Sequence, residues 1–158
     1  MSATPATQAL KKAGVPFTPH EYRPVEEVES TYGEAIAGLL GVEPGRVFKT
    51  LVAMADGHPT VAVVPVSGLL SMKALARARG AKRAEMAAPA EAERLTGYVV
   101  GGISPFGQKR RLPVVVDRTL LDHGTVFVSG GRRGLQVEVA PGDLVALLGA
   151  EAADLLSG

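Results

Sequence analysis

The chain has 158 residues, 46% of them hydrophobic, and no cysteine: enough apolar material for one continuous core, and no means of forming a disulfide, a thiolate metal site or a cysteine nucleophile. Seventeen lysines and arginines against 16 aspartates and glutamates leave a formal charge of +1, which selects for neither a polyanionic nor a polycationic partner. Met1–Gly14 lacks a signal-peptide core and the most apolar stretches, such as Thr60–Val66, are strand-length and contain proline, so a membrane span is excluded and a cytoplasmic location is expected.

Thr4-Pro5, followed by Ala6, Ala9, Leu10 and Ala13, predicts a short capped helix. Val15–Tyr22 alternates apolar and polar residues, but Pro19 would remove a ladder donor, so an edge strand is expected. A helix follows to Leu40, with Ser30 or Thr31 as its cap and Gly41 as its stop. "VFKTLVAMA" and "TVAVVPV" flank the turn "DGHP" and predict a hairpin from Val47 to Val66. Ser71 caps a helix to about Arg79, ended by Gly80, and Pro89 opens another to about Thr96, ended by Gly97. "LPVVVD", "GTVFVSGG" and "LQVEVA" then give three short strands before a last helix near Pro141. With mostly short connections, no repeat and no long linker, residues 1–158 are expected to form one α+β domain. Its sheet should be curved and mostly antiparallel or mixed, open or closed into a barrel, with flanking helices.

Charge is distributed unevenly. Glu21, Glu26, Glu27, Glu29, Glu34 and Glu43 face Arg23 alone, whereas Lys73, Arg77, Arg79, Lys82 and Arg83 run without an acid among them. Lys109–Arg111 and Arg132-Arg133 add two basic clusters, which suit a nucleic-acid backbone if they converge and are ordinary solvated surface if they scatter.

Few residues suggest chemistry. His20, His58 and His123 lie far apart without metal-ligand spacing, so neither a metal nor a cofactor is expected. Ser104 and Ser129 sit beside glycines but outside any nucleophile elbow, and "SGGRRG" lacks the ending of a phosphate-binding loop, so it reads equally as a hairpin turn. Lys49 is the unusual residue, an ammonium inside a strand pattern. Val47, Lys49 and Leu51 share one face, and Phe48, Thr50 and Val52 the other. If Phe48 and Val52 point inward, Lys49 is simply solvated; if Val47 and Leu51 line a pocket, its desolvation calls for an anion or a carbonyl dipole. "GGISP" (101–105) is either a plain connection or a bare backbone whose N–H groups meet a carbonyl or oxyanion.

In their order and separations, "VFKTL", "TGYVVGGISPFGQKRRLP" and "VSGGRRGLQVEVAPGDL" resemble the bacterial Cys-tRNA(Pro) deacylases, the YbaK/EbsC family, related to the inserted editing domain of prolyl-tRNA synthetase. The likeness runs from the first helix to about Leu148. It implies a free-standing trans-editing enzyme that hydrolyses the ester between a wrong amino acid and the 3′ end of tRNA. Such proofreading has a physical motive, since small size differences supply only about 1–3 kcal/mol of discrimination in a synthetic site. By resemblance, Lys49 is the essential lysine, holding the terminal phosphate or the ester carbonyl, and Gly101, Gly102, Ile103, Ser104 and Pro105 form the substrate loop. Tyr22 is a pocket tyrosine, and Tyr32 falls where an aromatic residue, commonly phenylalanine, is found. Lys109, Arg110 and Arg111, with Arg132 and Arg133, would meet tRNA phosphates.

The family often has aspartate where this chain has Gln136, a departure that bears on substrate contact and on preference among small amino acids. The resemblance also implies no protein nucleophile, the substrate cysteine's own thiol attacking its ester. Partners so implied are aminoacylated tRNA and prolyl-tRNA synthetase. The alternatives are a deacylase for another small amino acid such as alanine, and a non-catalytic tRNA-binding module.

Overall fold

The computed structural model describes residues 3–23 and 32–157. The cap expected at Ser30 or Thr31, three of the glutamates (Glu26, Glu27 and Glu29) and the side chain of Tyr32 lie outside the described residues.

Helix α1 (Pro5–Lys12) begins where the sequence places it. The Thr4 hydroxyl accepts from Thr7 N–H at 3.1 Å while Thr7 Oγ1 accepts from Thr4 N–H at 2.9 Å, so two of the first turn's orphan donors are satisfied reciprocally. Strand β1 (Phe17–Glu21) pairs only with β7 (Leu135–Val139), and Pro19 therefore sits on an edge strand, opposite Val137. With β6 (Val126–Ser129) these strands form an antiparallel sheet in the order β1-β7-β6.

The expected hairpin is β2 (Phe48–Ala55) and β3 (His58–Pro65), closed by Asp56 and Gly57, both at positive φ (48° and 78°) as the tight primed turns require. Helices α2 (Tyr32–Leu40), α3 (Met72–Ala78), α4 (Pro89–Thr96) and α5 (Pro141–Leu148) match the remaining helical expectations. The second sheet has the order β4-β2-β3-β5-β8, with β4 at Ala84–Met86, β5 at Val114–Asp117 and β8 at Glu151–Ala153.

Two short strands go beyond the sequence expectation, and the pairings decide between the sheet alternatives it left open. β4 and β8 are additional strands of three residues each, too short to show alternation. The β3–β5 and β5–β8 pairings are parallel, while the other four are antiparallel, so the second sheet is mixed. Among the described residues the strands form two open sheets, joined at the isolated Val47–Phe127 bridge, rather than a closed barrel.

Strand alternation divides the core. Phe48, Val52, Val61, Val63, Val114 and Val116 face the larger cluster, which includes Leu10 of α1, Leu95 of α4, Phe106 and the inner residues of β6 and β7. Ala53, Ala62, Val64 and Val115 face the opposite way, against Leu75 of α3 and Leu155. Burial on both faces explains why "VAVV" and "VVV" are continuous apolar runs, each large side chain contributing about 1.5–3 kcal/mol.

Candidate active site

The site arises from an incomplete strand pairing. β2 pairs along its whole length with β3, but β4 meets it only at Ala53–Ala55. A two-residue turn makes Ala55, Ala53, Leu51 and Lys49 the residues that bond to β3, so alternate residues direct their main-chain groups to the other edge. Val52 O accepts from Ala87 N–H at 3.0 Å on that edge, and beyond this point the edge at Phe48–Leu51 is not covered by β4. A cavity of about 300 Å³ lies there, between the two sheets.

Its walls are mostly apolar: Gly33 and Ile36 from α2, Val66 just after β3, Met86 and Ala87 at the end of β4, and Pro89 and Ala92 at the start of α4. Lys49, half-buried, is the sole ionisable side chain among the described residues lining it. Burial pushes the Lys49 pKa below the ordinary lysine value, because removing water disfavours the ammonium form. Both alternatives open for this strand are partly realised. Phe48 and Val52 enter the core, yet Lys49 is not simply solvated, since the uncovered edge exposes both faces of β2 to the cavity.

Two wall residues carry a side-chain oxygen that is buried and without a partner among the described residues: Thr50 Oγ1 and Gln136 Oε1. Buried polar groups left in this condition are costly, by roughly 1–3 kcal/mol each, unless a ligand satisfies them. Gln136 Nε2 donates to Tyr22 Oη at 3.3 Å, and burial raises the Tyr22 pKa, so the phenol stays protonated at neutral pH. Ser129 also lines the cavity, its Oγ accepting from Gly131 N–H at 3.2 Å.

The glycine-rich loop closes the other side. Val100, Gly101 and Ile103 reach the cavity wall, so Lys49 and Gly101 border the same space. Gly102, Ser104 and Pro105 do not reach the wall and instead support the loop from behind. Gly102 N–H, one of the amides the sequence offers to a ligand, is already donated to Val99 O at 2.9 Å. Ser104 is fully buried, with its Oγ accepting from Phe106 N–H at 3.2 Å and its carbonyl accepting from Gln108 Nε2 at 3.0 Å. Pro105 borders a second cavity of about 210 Å³ on the loop's far side. Tyr98 fastens the segment across its span, its hydroxyl donating to Phe106 O at 2.5 Å, and burial holds that phenol far above its usual pKa.

The two basic clusters are held by different partners. Lys109 N–H donates to Thr96 O and Arg110 N–H to Leu95 O, which sets the exposed Lys109–Arg111 triplet at the C-terminal end of α4. Pro89 and Ala92 of the cavity stand at the other end, on the order of 10 Å away along the helix axis. Arg132 Nη2 lies 3.0 Å from Glu21 Oε2, and Arg133 Nη2 donates to Val100 O at 3.2 Å, so both guanidiniums have partners within the protein.

The structure thus gathers Lys49, Gly101, Ile103, Gln136 and, through Gln136, Tyr22. Sequence reasoning missed Thr50 and Ser129 as wall residues, and with them the apolar wall at Met86–Ala92. Thr50 had a usable signal, as the polar member of the otherwise apolar Phe48/Val52 face. Chemically, the cavity offers one desolvated cation, neutral acceptors and a bare main chain. That set suits a small neutral or cationic group attached through a polarised carbonyl.

The family model described as an aminoacyl-tRNA editing domain matches residues 26–147. A protein of Enterococcus faecalis, provisionally named the Cys-tRNA(Pro)/Cys-tRNA(Cys) deacylase EbsC, is 36% identical over 153 residues, covering 96% of this chain and 92% of its own. A proline–tRNA ligase of Geobacter metallireducens is 34% identical over 113 residues, 72% of this chain but only 19% of that enzyme. Among solved structures, hypothetical protein APE2540 superposes with a TM-score of 0.87 at 29% identity, covering 98% of this chain and 100% of that one. Another, provisionally named a trans-editing enzyme for prolyl-tRNA synthetase, gives 0.82 at 27% identity, over 99% and 100% of the two chains. Among the described residues no helix is long and apolar enough to cross a membrane.

Proposed function

Since this chain belongs to the aminoacyl-tRNA editing domain family, we propose that it is a trans-acting deacylase that hydrolyses the ester of mischarged tRNA, with Cys-tRNA(Pro) as its foremost substrate. The observation that carries this is the shared cavity of Lys49 and the Gly101 main chain, with two wall residues, Thr50 and Gln136, each carrying a buried side-chain oxygen without a partner among the described residues. The similarity to EbsC over nearly the full length of both proteins supports the choice of substrate.

The aminoacyl group enters between β2 and the loop. Its carbonyl oxygen lies toward Lys49, and the donors of its α-amine meet the unpartnered oxygens of Thr50 and Gln136. As negative charge develops on the carbonyl oxygen, the Lys49 ammonium gains a partner that offsets its desolvation, an interaction stronger in the transition state than in the ground state. The lining supplies no carboxylate, imidazole or thiol among the described residues. For a cysteinyl ester, the substrate's own sulfur attacks the carbonyl carbon: an S–C bond forms, the C–O bond breaks, and the tRNA 3′ oxygen leaves as a hydroxyl with the thiol's proton. Water then opens the resulting thiolactone. Holding sulfur and carbonyl together in a small apolar cavity removes much of the entropic barrier.

The 3′ end therefore lies in the cavity while Lys109, Arg110 and Arg111 meet phosphates of the acceptor stem, at the distance that α4 sets. A neutral amide at position 136 leaves room for a second small substrate, such as an alanyl ester. The test is a deacylation panel of Cys-, Ala- and Pro-tRNA(Pro) with the purified protein. Release of cysteine, with Pro-tRNA(Pro) spared, is expected; binding without cleavage of any mischarged species would overturn the proposal in favour of a tRNA-binding module.

A further inference from the structure

We propose that Glu93 and Arg133 are positioning residues, which together fix the main chain of Val100 and Gly101 against the cavity; this rests on the deacylase function above and replaces a phosphate contact as the role of Arg133. Two charged side chains from separate parts of the fold converge on one residue. Glu93, on the last turn of α4, accepts the Val100 N–H on Oε2 at 2.7 Å. Arg133, in the β6–β7 connection, donates from Nη2 to Val100 O at 3.2 Å. Val100 is thus held at both its peptide groups by charged side chains, through a short, part-buried hydrogen bond to Glu93 and a longer, exposed one from Arg133.

The packing around this clamp is close. A Cβ on Gly101 would stand 2.4 Å from Arg133 Nε and 2.8 Å from Nη2, and the residue's φ is +95°, so glycine there lets the guanidinium lie flat on the loop. A Cβ on Gly102 would stand 2.8 Å from Arg132 Cα, so the two loops also touch through their backbones. Val100 and Gly101 line the cavity, whereas Glu93 and Arg133 do not. Both side chains consequently act on the reaction through the loop and not by touching the aminoacyl group. A shift of about 1 Å in such a positioning element can cost on the order of 10²-fold in rate.

The experiment compares Glu93→Ala, Glu93→Gln, Arg133→Ala, Arg133→Lys and the double alanine variant in hydrolysis of Cys-tRNA(Pro), with tRNA affinity measured at several salt concentrations. Each single alanine change is expected to lower kcat by about tenfold or more, with KM, tRNA affinity and its salt dependence unchanged. Glu93→Gln retains an acceptor and should recover most of kcat. Arg133→Lys keeps the charge but not the planar fork and should not recover it. The double variant should be no slower than the worse single one, because both release the same residue. Rescue by Arg133→Lys, or a raised KM with a shallower salt dependence at unchanged kcat, would overturn the proposal and make Arg133 a phosphate contact.

A second readout needs no turnover. The amide resonances of Gly101 and Ile103 should shift in Glu93→Ala and Arg133→Ala, and less in Glu93→Gln; unmoved loop resonances in both alanine variants would overturn the clamp. A wild-type protein that cleaves no mischarged tRNA would defeat the deacylase function, and the resonance measurement would still decide on the clamp.

Discussion

Gln136 and Tyr22 meet where β1 and β7 run side by side: Gln136 Nε2 donates to Tyr22 Oη at 3.3 Å, which leaves the amide oxygen buried and without a partner among the described residues. The phenol fixes which end of the amide is left for a ligand. Gln136→Leu removes the acceptor and should lower kcat/KM for a mischarged tRNA by about 2- to 10-fold, the ordinary worth of one neutral hydrogen bond. Tyr22→Phe leaves the amide in place but free to turn, and should cost less. Steady-state kinetics of both variants check the order; equal or larger loss from Tyr22→Phe would place the important interaction on the phenol itself.

Burial lowers the Lys49 pKa from its ordinary 10.5, which makes that side chain a measurable reporter. Between the lowered folded-state value and the ordinary one, the unfolded chain binds more protons than the folded one, so stability rises with pH through that window. The penalty is fully present below the folded-state pKa and gone above the unfolded one. Carbon-13 NMR of the lysine side chains should therefore show one ε-carbon titrating early, absent in Lys49→Met, and the variant should lose the rise in stability. Titration of every lysine near 10.5 would mean that Lys49 is fully solvated.

The Lys109–Arg111 triplet is anchored by its backbone to the end of α4 and projects its side chains into solvent. Replacing all three with alanine should weaken tRNA binding and flatten its dependence on salt, by about 0.7–0.9 in logarithmic slope for each phosphate no longer neutralised. kcat should hold, because the cavity is untouched. A changed kcat at unchanged affinity would place these cations in the chemistry instead.

Thr4 links the first helix to the β6–β7 connection. Besides capping α1, its hydroxyl donates to Gly130 O at 2.5 Å, and Thr4 is buried. Thr4→Ala should cost about 0.5–2 kcal/mol, read as a lower midpoint in urea with an unchanged slope. A destabilisation well below that would mean that water replaces the cap and the bond to Gly130.

Much of the architecture was legible because it is written in local signals. Pro5, Pro89 and Pro141 each open a helix, Gly97 ends one in the left-handed conformation, and Asp56-Gly57 closes the hairpin. The division into two sheets, and the parallel β3–β5–β8 pairings, were not legible, because long-range pairing is decided by packing across the core and not by neighbours in sequence. The site divides in the same way. Lys49 stood out as a charge within a strand, but Ala87, Pro89 and Ala92 are ordinary wall residues until β4 ends short of them. Arg132 and Arg133 looked like surface cations, and only the folded chain reveals that Glu21 and the Val100 carbonyl engage them.

Release of cysteine from Cys-tRNA(Pro), followed side by side for the wild-type protein and Lys49→Ala, tests the central claim most directly. Rapid hydrolysis by the wild type is expected, with a decrease of about 10²–10³-fold in the variant and an unchanged circular dichroism spectrum. Equal turnover by the two proteins would contradict a reaction centred on the space between Lys49 and Gly101.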